Sequence, residues 1–342
     1  MVDFFSSVVL NIIVIIVAIV VMDWASNLTI NNAVKISAIT RLGKTAVGFT
    51  LIAFSTSLPE LTVAIIAAFS GAAALSIGNV LGSNIVNICV IVGAASLIVY
   101  YKVHRQAKQN KDNKISRNIV KSLAKSELSS IYFGLFISAV IPIILIFISV
   151  AAWLVGFMLI VTFFGYMYQL SKVRIPEGEV EPVTTEEKSH LKKYVVFTIT
   201  GSMGVVLSSY FLVESAVNIA TAAGLSQQVI GATIIAVGTS LPELTLDLKA
   251  ILKGHAGLAF GDIIGSCFVN ITLILGISLF VPALLGTPVE LTINMFQNLV
   301  LFSIVTNLLF WYFLSRGQIG HKEGLVFLFI YILFIVTTIA TM

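Results

Sequence analysis

Residues 47–93 read VGFTLIAFSTSLPELTVAIIAAFSGAAALSIGNVLGSNIVNICVIVG, and residues 230–276 read IGATIIAVGTSLPELTLDLKAILKGHAGLAFGDIIGSCFVNITLILG. They align without a gap at an offset of 183 residues, and 23 of 47 positions are identical. Each copy sets a glutamate, Glu60 or Glu243, at the same place in a predominantly apolar run. An acid held inside a membrane is costly and marks a functional position by default. Two such acids in matched settings point to one composite site built by two halves.

Working outward, the composition supports a membrane setting. Of 342 residues, 58% are hydrophobic and only 11% charged, and the mean hydropathy is +1.04. A soluble domain carries about 25% charged residues, so an ordinary water-soluble fold is excluded. Several apolar runs exceed the roughly 18 residues that mark a spanning helix. They lack the short alternation of β-barrel strands. The pI near 9 does not signal nucleic acid, because the lysines and arginines sit in connections at membrane edges. The N-terminal MVDFFSSVVLN has no basic stretch and does not read as a cleaved signal peptide. The two cysteines, Cys89 and Cys267, lie in apolar helices and read as small buried hydrophobes.

We read ten spans, at about 5–34, 45–69, 75–100, two within 128–171, then 194–222, 228–252, 257–283, 291–314 and 324–341. Residues 128–171 hold no charged side chain; at about 20 residues per crossing they make spans four and five. The units are residues 1–127 (spans one to three plus a basic loop), 128–171, a linker at 172–193, and a second half at 194–342. With the N-terminus outside, the connections after spans one, three, five, seven and nine hold 3, 8, 5, 2 and 2 Lys/Arg, all 20 in the chain. The positive-inside rule then puts both termini outside and the basic loops in the cytoplasm, with the plasma membrane as location. Segment 102–125, with eight basic residues and one acid, reads as a topology anchor or as a binder of anionic lipid. Five spans per half is an odd number, so the halves enter the membrane from opposite sides. The expected fold is an all-α polytopic membrane protein. Its ten transmembrane helices form two inverted five-helix repeats, broken at a site near the midplane.

The break is written in TSLPE, at 56–60 and 239–243. Proline inside a helix removes a backbone hydrogen bond and clashes with an earlier carbonyl. Irregular backbone at membrane depth is tolerated where it lines a polar cavity or is buried in protein. Thr56, Ser57, Thr239 and Ser240 sit at the breaks, and the carbonyls of Ala53 and Ala236 lie about one turn earlier. A second element, GNVLGSNIVN at 78–87, is answered by GDIIGSCFVN at 261–270. Its Gly-x-x-x-Gly spacing lets helices approach closely. Ser83 and Asn87 share one helical face, as do Ser266 and Asn270. Each asparagine follows its glutamate by 27 residues, so neighbouring spans are expected to pair Glu60 with Asn87 and Glu243 with Asn270. The resulting oxygen cage, without a thiolate cluster or paired histidines, suits a hard cation. No lysine or arginine lies mid-span to neutralise the acids.

These segments resemble the α-repeats of the cation/calcium antiporter superfamily, most closely its sodium/calcium exchanger branch of the prokaryotic type. The resemblance covers both signature repeats, roughly 94 residues. It implies ion-site roles for Glu60, Glu243, Thr56, Ser57, Ser83, Thr239, Ser240, Ser266, Asn87, Ala53 and Ala236. Some members carry aspartate where this chain has Asn270, so the cage is expected to hold two formal negative charges. One Ca²⁺ would neutralise it, and three Na⁺ would leave one positive charge. The resemblance therefore implies electrogenic exchange of several Na⁺ for one Ca²⁺ by alternating access, with spans one and six as the sliding pair. The partners are the two ions and the lipid bilayer. Neither cofactor, nucleic acid nor enzymatic chemistry is expected.

Alternatives stay open. Ca²⁺/H⁺ or other divalent exchange would use the same acids; a cation channel or an intramembrane hydrolase is more remote. Asp247 and Asp262 have no acidic counterpart, facing Ala64 and Asn79 in the first half. Asp247 reads either as lining an inner vestibule or as pairing with Lys249 or Lys253 near headgroups, and Asp262 as lying near the inner mouth. Glu214 has no assigned role.

Overall fold

The computed structural model describes residues 2–69, 73–109, 132–142, 152–172, 184–223, 238–286, 293–317 and 319–340. In hydrocarbon every backbone amide needs an internal partner, and the described residues answer with helices. Helix α1 runs Val2–Thr40, followed by α2 (Lys44–Thr56) and α3 (Leu58–Phe69). Next come α4 (Ala73–Val86) and α5 (Gly93–Gln109), joined through a π turn at Asn87–Val92. Helices α6 (Tyr132–Pro142), α7 (Ala152–Leu170) and the short α8 (Thr185–Ser189) precede α9 (Leu191–Ala222). The second half continues with α10 (Leu241–Leu252), then α11 (Ala256–Val269) and α12 (Leu275–Leu284), joined through a π turn at Asn270–Ile274. Helices α13 (Ile293–Ser315) and α14 (His321–Ala340) complete the order.

Seven helical stretches among the described residues are long and apolar enough to cross a membrane, or eight if the bent pair α2–α3 is one span. Helices α6 and α10 are the described parts of the expected fourth and seventh spans. The rest of those spans, including Ala236, lies outside the described residues, as does most of the basic segment 102–125. Helix α1 has 39 residues, about 58 Å at 1.5 Å each. Since the hydrocarbon layer is about 30 Å thick, α1 must tilt or project beyond it. It ends where Arg41 takes a left-handed φ of 57° and Gly43 one of 78°, the residue geometry of a helix C-terminus.

Helices α1 and α9 pack along each other more extensively than any other pair of described helices. Small residues allow this: a Cβ on Gly201 would lie 2.4 Å from Thr29 Oγ1 and 2.9 Å from the Ala25 carbonyl. The site-bearing helices form the centre. The stretches Ser76–Lys102 and Ala256–Leu284 are 67% and 72% buried, against 17% for α1. Large apolar side chains such as Leu10, Phe164, Tyr210 and Phe329 face outward, as a lipid-exposed surface requires. Cys89 and Cys267 are both free and buried.

The repeats interlock by close approach. A Cβ on Gly261 would meet the Thr45 carbonyl at 2.1 Å, and one on Gly265 the Ala53 Cβ at 2.7 Å. One on Gly48 would meet the Leu258 carbonyl at 2.2 Å. Helix α11 of the second half therefore lies directly on α2 of the first. Gly78 and Gly82 have no described atom within 4 Å. The residues matching 45–49 in the second half are 228–232, outside the described set.

Candidate cation site

Helix α2 stops at Thr56, Ser57 adopts φ −80° and ψ 9°, and α3 restarts at Leu58 with a 48° bend. In the second half Ser240 (φ −93°, ψ 8°) precedes α10, with Pro242 in its first turn. Each proline thus opens a new helix, where its missing N–H costs nothing, and each glutamate falls in the first turn of that helix. Negative charge there is favoured by the helix dipole.

The carbonyl of Ala53 differs from the expectation. It accepts from Ser57 N–H at 3.0 Å, so the break does not free it; Thr56 Oγ1 lies 3.3 Å away. The register explains why: Pro59 withdraws the donor for the carbonyl four residues earlier, that of Ser55, and not that of Ala53.

Four carboxyl side chains and two amides are buried together. Glu60, Glu243, Asp247, Asp262, Asn87 and Asn270 are each 1% exposed. Ser83 donates to Glu60 Oε1 at 3.4 Å. Thr56 donates to Asp262 Oδ1 at 3.3 Å, lies 3.4 Å from Ser266 Oγ, and also borders Glu243. Ser266 donates to Asp262 Oδ1 at 3.3 Å. Glu243 lies within electrostatic reach of Glu60 and Asp262, and the Asp247 and Asp262 side chains reach one another. Ser57 and Ser240 are buried, and Thr239 is half-buried in the turn before α10.

Three expectations change here. First, the turns that carry the amides pack across the halves. The π turn at Asn87 packs on α10, which carries Glu243, and the π turn at Asn270 packs on α3, which carries Glu60. Second, the buried acids number four, because burial extends to Asp247 and Asp262. Third, neither of these stands at a headgroup-exposed mouth. The lysines expected as partners are engaged elsewhere: Lys249 bonds the Asp23 carboxylate and carbonyl, and Lys253 bonds Asn31 Oδ1 at 3.0 Å.

One polar residue escaped the sequence reading. Asn84 is fully buried, accepts from Asn270 Nδ2 at 2.9 Å and donates to the Cys267 carbonyl at 3.2 Å. It fixes the Asn270 amide with its nitrogen spent and its oxygen unpaired. Its counterpart in the other half is Cys267, so repeat matching hid it; the signal was an extra intramembrane amide. Asn84→Ala leaves two buried polar groups without their partner. We expect a loss of about 1–3 kcal/mol, read as a lower melting temperature in detergent. An unchanged melting temperature would remove Asn84 from this role.

The chemistry of the site is set by its unpaired atoms. Glu60 Oε2, Glu243 Oε2, Ser57 Oγ, Ser240 Oγ, Asn87 Oδ1 and Asn270 Oδ1 are buried and have no hydrogen-bond partner among the described residues. They are three repeat-matched pairs of oxygen atoms, contributed equally by the two halves. Among the described residues no three His, Cys, Asp or Glu side chains group closely enough to hold one metal ion.

A bundle of membrane helices folded around a buried set of oxygens is the build of a membrane transporter. The profile of the sodium/calcium exchanger protein family matches residues 10–172 and 193–340. The chain belongs to that family, and its class of activity is cation/calcium antiport. It is similar to the putative antiporter CaxA of Alkalimonas amylolytica, 33% identical over 269 residues, or 77% of this chain and 78% of that one. The sodium/calcium exchanger MaX1 of Methanosarcina acetivorans is 28% identical over 95% of this chain and 97% of its own. The solved sodium-calcium exchanger NCX_Mj, soaked with 10 mM Na⁺ and zero Ca²⁺, superposes with a TM-score of 0.75. It is 26% identical, over 96% of this chain and 99% of that chain.

Proposed function

We propose that this protein exchanges Na⁺ for Ca²⁺ electrogenically, by alternating access at an oxygen cage between the two repeats. The observation that carries the reading is the set of six buried, unpaired oxygens in matched positions of the two halves. Glu60 and Glu243 supply charge; Asn87 and Asn270 supply amide oxygens; Thr56, Ser57, Ser83, Thr239, Ser240 and Ser266 supply hydroxyls. Ala236 belongs to the proposed set through its place in the motif. Ala53 belongs to it too, although its carbonyl already accepts from Ser57 N–H.

Such ligands select hard cations. Exchange follows because two buried carboxylates are costly to move without an ion. Na⁺ and Ca²⁺ compete for them, so either ion releases the other. Helices α1 and α9 are the moving pair, a role supported by their extensive packing on each other and their limited packing on α10. The plasma membrane, with basic loops on the cytoplasmic side, is the proposed setting.

The test is ⁴⁵Ca²⁺ uptake into proteoliposomes. An outward Na⁺ gradient is expected to drive uptake, and a pH gradient alone is not. If one net charge moves per cycle, imposing 100 mV contributes about 2.3 kcal/mol, a change of about fiftyfold in the Ca²⁺ ratio at balance. Uptake driven by pH alone would establish proton exchange instead. Ca²⁺ flux that persists without any counter-ion would establish a channel.

A further inference from the structure

We propose that Asp247 and Asp262 form a second cation subsite, separate from the Glu60/Glu243 cage and joined to it through Thr56 and Ser266. Its ligand is a hard metal cation of the kind the cage carries, so the inference rests on the cation-exchange reading and extends it.

Both carboxyls are 1% exposed and meet between α10 and α11. Asp247 is one turn beyond Glu243 on α10, and Asp262 is one turn before Ser266 on α11. The pair therefore continues the cage along the same two helix faces. Its partners do not complete it. One oxygen of each, Asp247 Oδ2 and Asp262 Oδ2, is buried without a hydrogen-bond partner among the described residues. The other oxygen of Asp262 accepts from Thr56 and Ser266. Those two hydroxyls retain lone pairs to offer an ion.

Among the described residues no basic side chain balances the pair. Lys249, two residues from Asp247, bonds Asp23 on α1, and Lys253 bonds Asn31 on α1. A divalent ion between Glu60 and Glu243 balances only those two. The two carboxyls reach each other by a side-chain hydrogen bond, which takes one proton between them; the charge that remains is strongly unfavourable when buried and uncompensated, so the pair still needs a counter-charge of its own. Because no three acidic side chains group around one point among the described residues, a single ion does not serve all four acids. They act as two pairs. The pair also has no twin: the first repeat places Ala64 and Asn79 at the matched positions. A subsite present in one half lies off the axis relating the halves.

The experiment counts bound ions on the purified full-length chain in detergent, using ⁴⁵Ca²⁺ and ²²Na⁺ in separate equilibrium-binding arms. The wild type is compared with D247N/D262N and E60Q/E243Q. D247N/D262N is expected to bind one cation fewer per chain while keeping the ion of the cage. E60Q/E243Q is expected to lose the cage ion and keep the other. The arm that registers the loss in D247N/D262N identifies the subsite's ion as Ca²⁺ or Na⁺. If the double variant does not purify, D262N alone, which restores the amide of the matched Asn79, carries the same expectation. Equal counts of both ions in wild type and D262N overturn the subsite and leave a shared proton as the counter-charge. A wild type that binds neither ion overturns the exchange reading itself.

Discussion

Glu60→Gln and Glu243→Gln are each expected to lower Na⁺-dependent Ca²⁺ flux by more than a hundredfold. Each removes one of the cage's two formal charges while preserving side-chain volume, so the packing of α3 or α10 survives. Leaving a buried charge without its partner costs about 3–5 kcal/mol. Three kilocalories correspond to roughly a hundredfold in affinity, and the bound Ca²⁺ would be left in that state. For Glu60 there is a further loss: Ser83 now faces an amide in place of a carboxylate, and hydrogen bonds to charged groups are the stronger kind. The measurement is initial-rate ⁴⁵Ca²⁺ uptake in proteoliposomes matched for protein. Wild-type rates in both variants would eliminate the cage, whatever ion drives the cycle.

Gly261→Ala is expected to prevent assembly of the native fold, or to destabilise it by at least about 3 kcal/mol, the upper end of the overpacking range. The methyl would point at the Thr45 carbonyl oxygen from 2.1 Å, and at the carbonyl carbon from 2.8 Å. Both are backbone atoms, so no rotamer change relieves the clash. Helix α11 would have to move off α2, carrying Asp262, Ser266 and Asn270 with it. Gly165→Ala is the control: nothing among the described atoms lies within 4 Å of its Cβ, and alanine is the better helix former. Thermal unfolding followed by size-exclusion fluorescence separates the two. A Gly261→Ala protein as stable as wild type would mean that α2 and α11 are not in direct backbone contact.

The chain announces much of this architecture. Apolar length gives the helices, and an ungapped repeat gives two related halves. TSLPE gives the break, because proline acts locally and needs no partner. What stayed hidden depends on the third dimension. The sequence sets Asp247 one turn beyond Glu243 and Asp262 one turn before Ser266, but position along a helix does not say how deep a side chain is buried. The lysines two and six residues after Asp247 looked like partners until α1 was seen to take both. The crossed packing of the turns at Asn87 and Asn270 depends on how the halves interlock, which a repeat alignment cannot encode. Asn84 was missed for the opposite reason: the reading valued positions that match between halves, and Asn84 matters through a contact with the residue that breaks the match.

The π turns at Asn87–Val92 and Asn270–Ile274 have a consequence for register. A π turn closes its hydrogen bond over one residue more than an α turn, so all that follows is rotated by roughly 100° about the helix axis. Both halves begin the extra residue at the same asparagine. That is why the 183-residue offset runs through the site to Gly93 and Gly276 without a gap: two insertions at equivalent places cancel. A single-residue deletion just after Asn87 would leave Ser83 and Glu60 where they are. It would also swing the Gly93 face away from Leu328 and Gly324, its neighbours on α14.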